Sequence, residues 1–222
     1  MRNPKNSMLN APPEHRCGRC RLLRAYCLCD LIPTIATRTR VVLVLHAAED
    51  RKPSNTGRLA LTCLPNSALV MRGGMAEATP VSAESWTEHG TPVLLFPHPE
   101  ARPLEEWRDS ARPVTLVVPD GTWRQAQRVR RRIPGLADIP CARVDREQPS
   151  QYRLRHTPHE RRLATMEAIA EALGVLEGPA VREDLLRIFD VMVERTLQVR
   201  APVARPRVRP RSGQVDLGVE DP

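Results

Sequence analysis

Aromatic side chains are scarce, with three Trp, two Tyr and two Phe making up 3% of 222 residues. A core must therefore be built mainly from Leu, Val, Ile and Ala, and a hydrophobic content of 41% is enough for one. Lysine is nearly missing: Lys5 and Lys52 are the only two among 34 basic side chains. No run approaches the roughly 18 apolar residues that a membrane span needs. The polar N-terminus has no charged-then-apolar leader pattern. These absences predict a soluble, cytoplasmic protein with no membrane partner, and no segment calls for an obligatory protein partner. The length suits one domain with appended tails.

What is abundant is arginine. Net charge is +8 and the isoelectric point about 9.8. The planar guanidinium suits bidentate contact with phosphate, so nucleic acid is the leading candidate partner. An arginine-favouring codon usage would leave the same excess. Four of the six cysteines fall together as Cys17-Gly18-Arg19-Cys20 and Cys27-Leu28-Cys29. Two intervening residues let the first pair of thiolates converge on one tetrahedral ion, and Cys-x-Cys is a less common second half. In a reducing compartment such a cluster reads as a structural zinc site, with an iron–sulfur cluster or unliganded thiols as alternatives. Cys63 and Cys141 stand alone in apolar surroundings and read as small core residues.

The order of elements is that of an α/β protein. Strands are expected at 40–46, 67–71, 92–97, 114–118 and 139–144, the last at an edge because of Pro140. Helical patterns alternate with them, which predicts a mainly parallel sheet with helices on both faces. In such sheets ligands bind outside the carboxyl ends of the strands. The fourth strand runs into Pro119-Asp120-Gly121-Thr122-Trp123, which reads as a turn carrying one carboxylate and one hydroxyl. A helix follows at once. Trp123, Ala126, Val129 and Ile133 cluster on one side of it, and Arg124, Arg128, Arg131 and Arg132 lie opposite. Within the helix that stripe lacks acidic partners at i±4, so it fits either RNA contact or a solvated face. After the first strand, Ser54-Asn55-Thr56-Gly57 offers a helix cap that could also hold a carboxylate or phosphate. His46, at that strand's end, reads as a hydrogen-bonded structural histidine.

Further on, Tyr152, Arg153 and Arg155 form a basic stretch whose aromatic could stack on a base or pack inward. A helix from Thr165 buries Met166, Ile169, Ala170 and Leu173 and should stop at Gly174. Glu167 lies off its apolar stripe, where an exposed carboxylate is expected. Pro179 opens a final amphipathic helix. The segments read as a disordered N-terminus (1–14), a zinc-binding segment of four cysteines (15–32), a catalytic domain (33–199) and a disordered Arg/Pro-rich tail (200–222).

Taken in order, the spacing of the four clustered cysteines, Ser54-Asn55-Thr56-Gly57-Arg58-Leu59, Asp120-Gly121-Thr122-Trp123, and Tyr152-Arg153 followed by Thr165-x-Glu167-Ala168 resemble the DTW-domain family. That family is similar to bacterial tRNA-uridine aminocarboxypropyltransferases. The resemblance covers about residues 15–198. It implies a SPOUT-like, knotted α/β fold and transfer of the 3-amino-3-carboxypropyl group of S-adenosylmethionine to N3 of a tRNA uridine. It further implies catalytic roles for Asp120, Thr122, Trp123 and Glu167. Ser54, Asn55, Thr56, Gly57, Phe96, Pro97 and Thr165 would hold the donor. Arg124, Arg128, Arg131, Arg132, Tyr152, Arg153 and Arg155 would contact RNA. The zinc held by Cys17, Cys20, Cys27 and Cys29 would be structural. Ala164 stands where the family usually has Ser, which puts one polar contact in question. A SPOUT-class RNA methyltransferase, an aminocarboxypropyltransferase acting on ribosomal RNA, and a non-catalytic zinc-knuckle RNA-binding protein are the competing expectations.

Overall fold

A computed structural model describes residues 12–50, 52–53, 55–73, 84–145, 150–154 and 163–200. Residues 1–11 and 201–222, most of the two expected tails, lie outside that set. Among the described residues, six strands form one all-parallel sheet: β1 (Arg40–His46), β2 (Ser67–Arg72), β3 (Thr91–Leu95), β4 (Arg102–Pro103), β5 (Val114–Asp120) and β6 (Cys141–Arg143). Their order across the sheet is β2-β1-β5-β3-β6-β4. The helices are α1 (Ala47–Asp50), α2 (Thr56–Cys63), α3 (Trp123–Arg132), α4 (Thr165–Glu177) and α5 (Pro179–Arg200).

The unbroken apolar runs of β1 and β5 have a simple cause, since both faces of the sheet are covered. Val41, Leu43 and Leu45 of β1 pack with Leu59 of α2, Met166, Ile169 and Leu173 of α4, and Phe189 and Met192 of α5. The alternate residues Val42 and Val44 pack on the other face with Val117, Trp86, Leu136 and Val129 of α3. Leu43 is fully buried, so truncating it to Ala should cost about 2–5 kcal/mol. Trp86 is buried too, and its indole N–H donates to the Pro134 carbonyl at 2.9 Å. Cys63 and Cys141 are core residues, as expected.

The boundaries differ from the sequence reading in several places: β3 ends at Leu95 rather than at 97, and β6 spans Cys141–Arg143 rather than 139–144. β5 does not stop before Pro119 but continues to Asp120, pairing Val44 with Pro119 and Leu45 with Asp120. Its register with β3 ends at Leu94 opposite Val117. Beyond that point β5 has a neighbour on one side only, an edge-like place where a residue without an N–H is tolerated. The strand expected at an edge because of Pro140 is not at one: the two-residue β4 pairs with it in parallel, Arg102 opposite Ala142, and takes the edge instead. The helix at Thr165 passes through Gly174 and ends at Gly178, whose φ of +109° suits glycine. A Cβ on Gly174 would sit 3.0 Å from the Cβ of Arg182 on α5. That glycine therefore serves the close approach of two helices rather than a stop. The expected knot depends on the path of segments that include 146–149 and 155–162, outside the described residues.

Candidate active site and metal centre

Register places the chemistry. Asp120 ends β5 beside Leu45 of β1, and His46 pairs with Arg72 of β2. Asp120 also shares the parity of Val118 and Leu116, so its side chain is directed to the face that carries α2 and α4. Both helices begin there. Asn55 caps α2, its Oδ1 accepting the Arg58 N–H at 2.8 Å, while its Nδ2 donates to Asp120 Oδ2 at 2.8 Å. Thr165, the first residue of α4, donates its hydroxyl to Asp120 Oδ1 at 2.7 Å. Thr56 Oγ1 accepts the Met166 N–H at 3.3 Å and joins the two helix starts. A Cβ on Gly57 would lie 2.7 Å from Asp120 Oδ2. Glycine at 57 is thus what lets the carboxylate come up against the first turn of α2.

Asp120 is only 7% exposed. Burial pushes its pKa up, against the hydrogen bonds from Thr165 and Asn55, and the neighbouring charge of Glu49 adds to the rise. Glu49 lies in α1 with its side chain 14% exposed and paired to Lys52 at 2.6 Å. The sequence reading gave Glu49 no role, although its place three residues after a strand end is the signal that could have marked it. His46 is satisfied as expected, its Nδ1 accepting the Ala48 N–H at 3.1 Å.

The remaining expected site residues divide sharply. Thr122 caps α3: its Oγ1 accepts the Gln125 N–H at 3.3 Å, and Gln125 Oε1 accepts the Thr122 N–H at 2.7 Å. Gly121, with φ +154°, turns the chain between strand and cap. Trp123 opens α3, but its side chain is outside the described set, as are Ser54 and Arg155. Glu167 is not the exposed carboxylate its position suggested. It is 1% exposed, and it accepts from Ser150 Oγ at 2.6 Å, the Gln151 N–H at 2.8 Å and the Ala164 N–H at 2.7 Å. Ala164, the N-cap residue, has no polar side chain to cap with, and Glu167 accepts its N–H from the third position of the helix. Phe96 packs in the second core face, and Pro97 is exposed at the carboxyl end of β3. Tyr152 packs inward on Phe189, ring centroids 5.6 Å apart, and Arg153 pairs with Glu194.

Arg124, Arg128, Arg131 and Arg132 are exposed on α3, while Val129 is buried and Ala126 and Ile133 are packed beneath. Among the described residues no carboxylate pairs with those four. Arg72 donates to the Gln125 carbonyl at 2.8 Å and ties β2 to the start of α3, and its pKa is lowered by burial and by the nearby charge of Arg132.

The four cysteine Sγ atoms lie within 4.8 Å of one another, with Cys17–Cys29 at 3.4 Å and Cys20–Cys27 at 3.7 Å. Thiolates about 2.3 Å from one tetrahedral ion would be about 3.8 Å apart, so the donor set fits zinc. Backbone N–H groups of Cys20 and Arg19 lower the Cys17 pKa to about 6, whereas burial pushes the Cys20 and Cys29 thiols up. An antiparallel bridge between Arg16 and Leu23 closes the knuckle. Leu22 and Leu28 anchor it in the main core, and Arg195 of α5 donates to the Cys27 carbonyl.

Comparison with known proteins shows the family. The sequence matches the DTW domain over residues 14–197. Its relatives include tRNA-uridine aminocarboxypropyltransferase 2 of Drosophila melanogaster, 32% identical over 184 residues that cover 79% of this chain and 73% of that protein. The Mus musculus protein of the same name is 31% identical over 205 residues, 86% of this chain and 68% of that one. The Macaca fascicularis protein is 31% identical over 195 residues, 84% and 65%. No solved structure matches.

Proposed function

Because the chain belongs to the DTW domain family, we propose that it is a tRNA-uridine aminocarboxypropyltransferase using S-adenosylmethionine as donor. The observation that carries the mechanism is Asp120, a buried carboxylate at a strand's carboxyl end, held on both oxygens between the starts of α2 and α4. Helix N-termini favour an anion, so the 55–57 turn and the first turn of α4 suit the methionyl carboxylate of the donor. Among these groups Thr56 offers a hydroxyl proton and Gly57 close backbone approach, while the Thr165 hydroxyl, its proton on Asp120, can accept from the methionyl ammonium.

In the reaction, uracil N3 attacks the γ-carbon of the methionyl arm. The bond from that carbon to the sulfonium sulfur breaks, methylthioadenosine leaves, and the N3 proton must go to a base. Asp120 is that base. Its raised pKa makes it a better acceptor than an ordinary aspartate. Asn55 and Thr165 fix its orientation. Glu167, occupied by three donors, holds the 150–151 segment to α4 and stays out of proton transfer. Directing the γ-carbon rather than the methyl at N3 is a positioning problem. The α3 arginines begin shortly after Gly121 and bring the RNA backbone to the same strand end. The cysteine cluster would hold a zinc ion whose role is to shape its segment.

The test is incubation of the protein with unmodified tRNA and S-adenosylmethionine, followed by mass spectrometry of nucleosides and co-products. We expect 3-(3-amino-3-carboxypropyl)uridine and methylthioadenosine in equal amounts. S-adenosylhomocysteine would instead mean methyl transfer, and no co-product would mean a binding protein.

A further inference from the structure

Arg21, inside the cysteine knuckle, has φ +63°, the one non-glycine residue in the left-handed region among those described. Glycine fits that conformation at no steric cost, so an arginine there invites the question of what its side chain does. The guanidinium reaches out of the knuckle to α1. It donates from Nη1 to Asp50 Oδ1 at 3.1 Å, from Nη2 to Asp50 Oδ2 at 3.5 Å, and to the Asp50 carbonyl. Asp50 Oδ1 also accepts from Arg58, from Nε at 2.7 Å and with Nη2 at 2.5 Å. Arg58 is the residue whose N–H is capped by Asn55, and Asn55 donates to Asp120. Burial opposes ionisation of Asp50, but the two guanidinium groups outweigh it and hold the carboxyl below its ordinary range. All three side chains are about a quarter to a third exposed, so the pairs are partly shielded from solvent.

We propose that Arg21 and Asp50 are positioning residues for the donor site, fixing the first turn of α2 to the cysteine knuckle through Arg58. The knuckle then does more than add bulk to the fold. Through Asp50 it sets where Asn55, Thr56 and Gly57 stand relative to Asp120, the turn that receives the methionyl carboxylate. This assignment rests on the donor reading given above. A purely structural knuckle would need only its metal ligands and the anchors Leu22, Leu28 and Arg195, none of which involves Arg21.

The backbone conformation supplies an unusual test, because Arg21→Gly removes the guanidinium while relieving the backbone. Three quantities are measured on the zinc-loaded protein: metal per chain, thermal midpoint, and S-adenosylmethionine affinity by equilibrium dialysis. Arg21→Gly is expected to keep one zinc and an unchanged or higher midpoint, yet to bind S-adenosylmethionine at least fivefold more weakly. Asp50→Asn, outside the knuckle, should do the same, and the double variant should be no weaker than Asp50→Asn alone. Arg21→Lys should recover part of the loss. In kinetics the donor KM should rise more than kcat falls. Unchanged affinity in Arg21→Gly and Asp50→Asn with zinc retained overturns the proposal, as do additive losses in the double variant. If Arg21→Gly sheds its metal, Asp50→Asn decides the matter by the same affinity criterion. A wild-type protein that neither binds S-adenosylmethionine nor modifies tRNA would sink the donor reading itself, an outcome separate from wild-type activity with unaffected variants.

Discussion

Asp120 combines burial with two neutral hydrogen-bond donors, and its ionisation works against the fold while serving the chemistry. Its folded-state pKa lies above the unfolded value of about 3.9. The stability it contributes is therefore full below that value and is lost as pH rises through the raised one. Asp120→Asn cannot titrate and can still meet both neighbours, since the Thr165 hydroxyl can accept as well as donate. We expect it to melt at or above the wild-type temperature at neutral pH, by on the order of a few degrees, with the gap closing as pH falls toward about 4. Turnover should drop at least tenfold with tRNA binding kept. Calorimetry across pH beside steady-state assays checks both, and near-normal turnover would refute the base assignment. Because Glu49 adds to the rise, Glu49→Gln should move the acid limb of the kcat/KM profile to lower pH. An unmoved limb would separate Glu49 from Asp120 electrostatically.

The helix α3 shows an element doing two jobs with two faces. Val129 seals the sheet, and Arg124, Arg128, Arg131 and Arg132 stand in solvent. Arg128→Ala should weaken tRNA binding several-fold and reduce the slope of log affinity against log salt by about 1, as one lost phosphate contact requires. An unchanged slope would leave that face without an RNA role. This element was legible in advance because a period of about 3.6 residues separates its faces, and the Asn55 cap was legible because side-chain capping is local chemistry. The misreadings at Pro119, at Gly174 and of the strand at Cys141–Arg143 share a different cause. Each depends on what lies across from the residue: a strand that has already ended, a second helix passing close, or a neighbouring edge. None of these is written near the residue in the chain. Glu167 was misread for a similar reason, since its donors at 150 and 151 come from a distant segment.

At the scale of the whole molecule, the carboxyl edge of the sheet gathers residues from 49 to 167 that no local pattern could bring together. The motifs could be put in order from sequence, but the contact of Asn55 and Thr165 with one carboxylate could not. No helix among the described residues is long and apolar enough to cross a membrane. Removing a metal held by the four cysteines should release the knuckle while Leu43, Phe189 and their neighbours keep the sheet and helices assembled. A chelator is expected to lower the thermal midpoint by several degrees or more with most of the far-ultraviolet helical signal retained. Collapse of that signal at room temperature would show that the knuckle holds up the entire core. One further consequence concerns movement. At one end of α4 Thr165 grips Asp120, and at the other Glu177 accepts the Thr39 N–H at 2.6 Å, the Thr39 hydroxyl at 2.5 Å and the Arg38 N–H at 3.1 Å. The helix, 13 residues long, makes a rod of about 20 Å, fastened at opposite rims of the sheet. Such a strut cannot slip by a turn without tearing both fastenings, so it holds the carboxyl rim of the sheet, where Asp120 sits, at a fixed distance from the opposite rim.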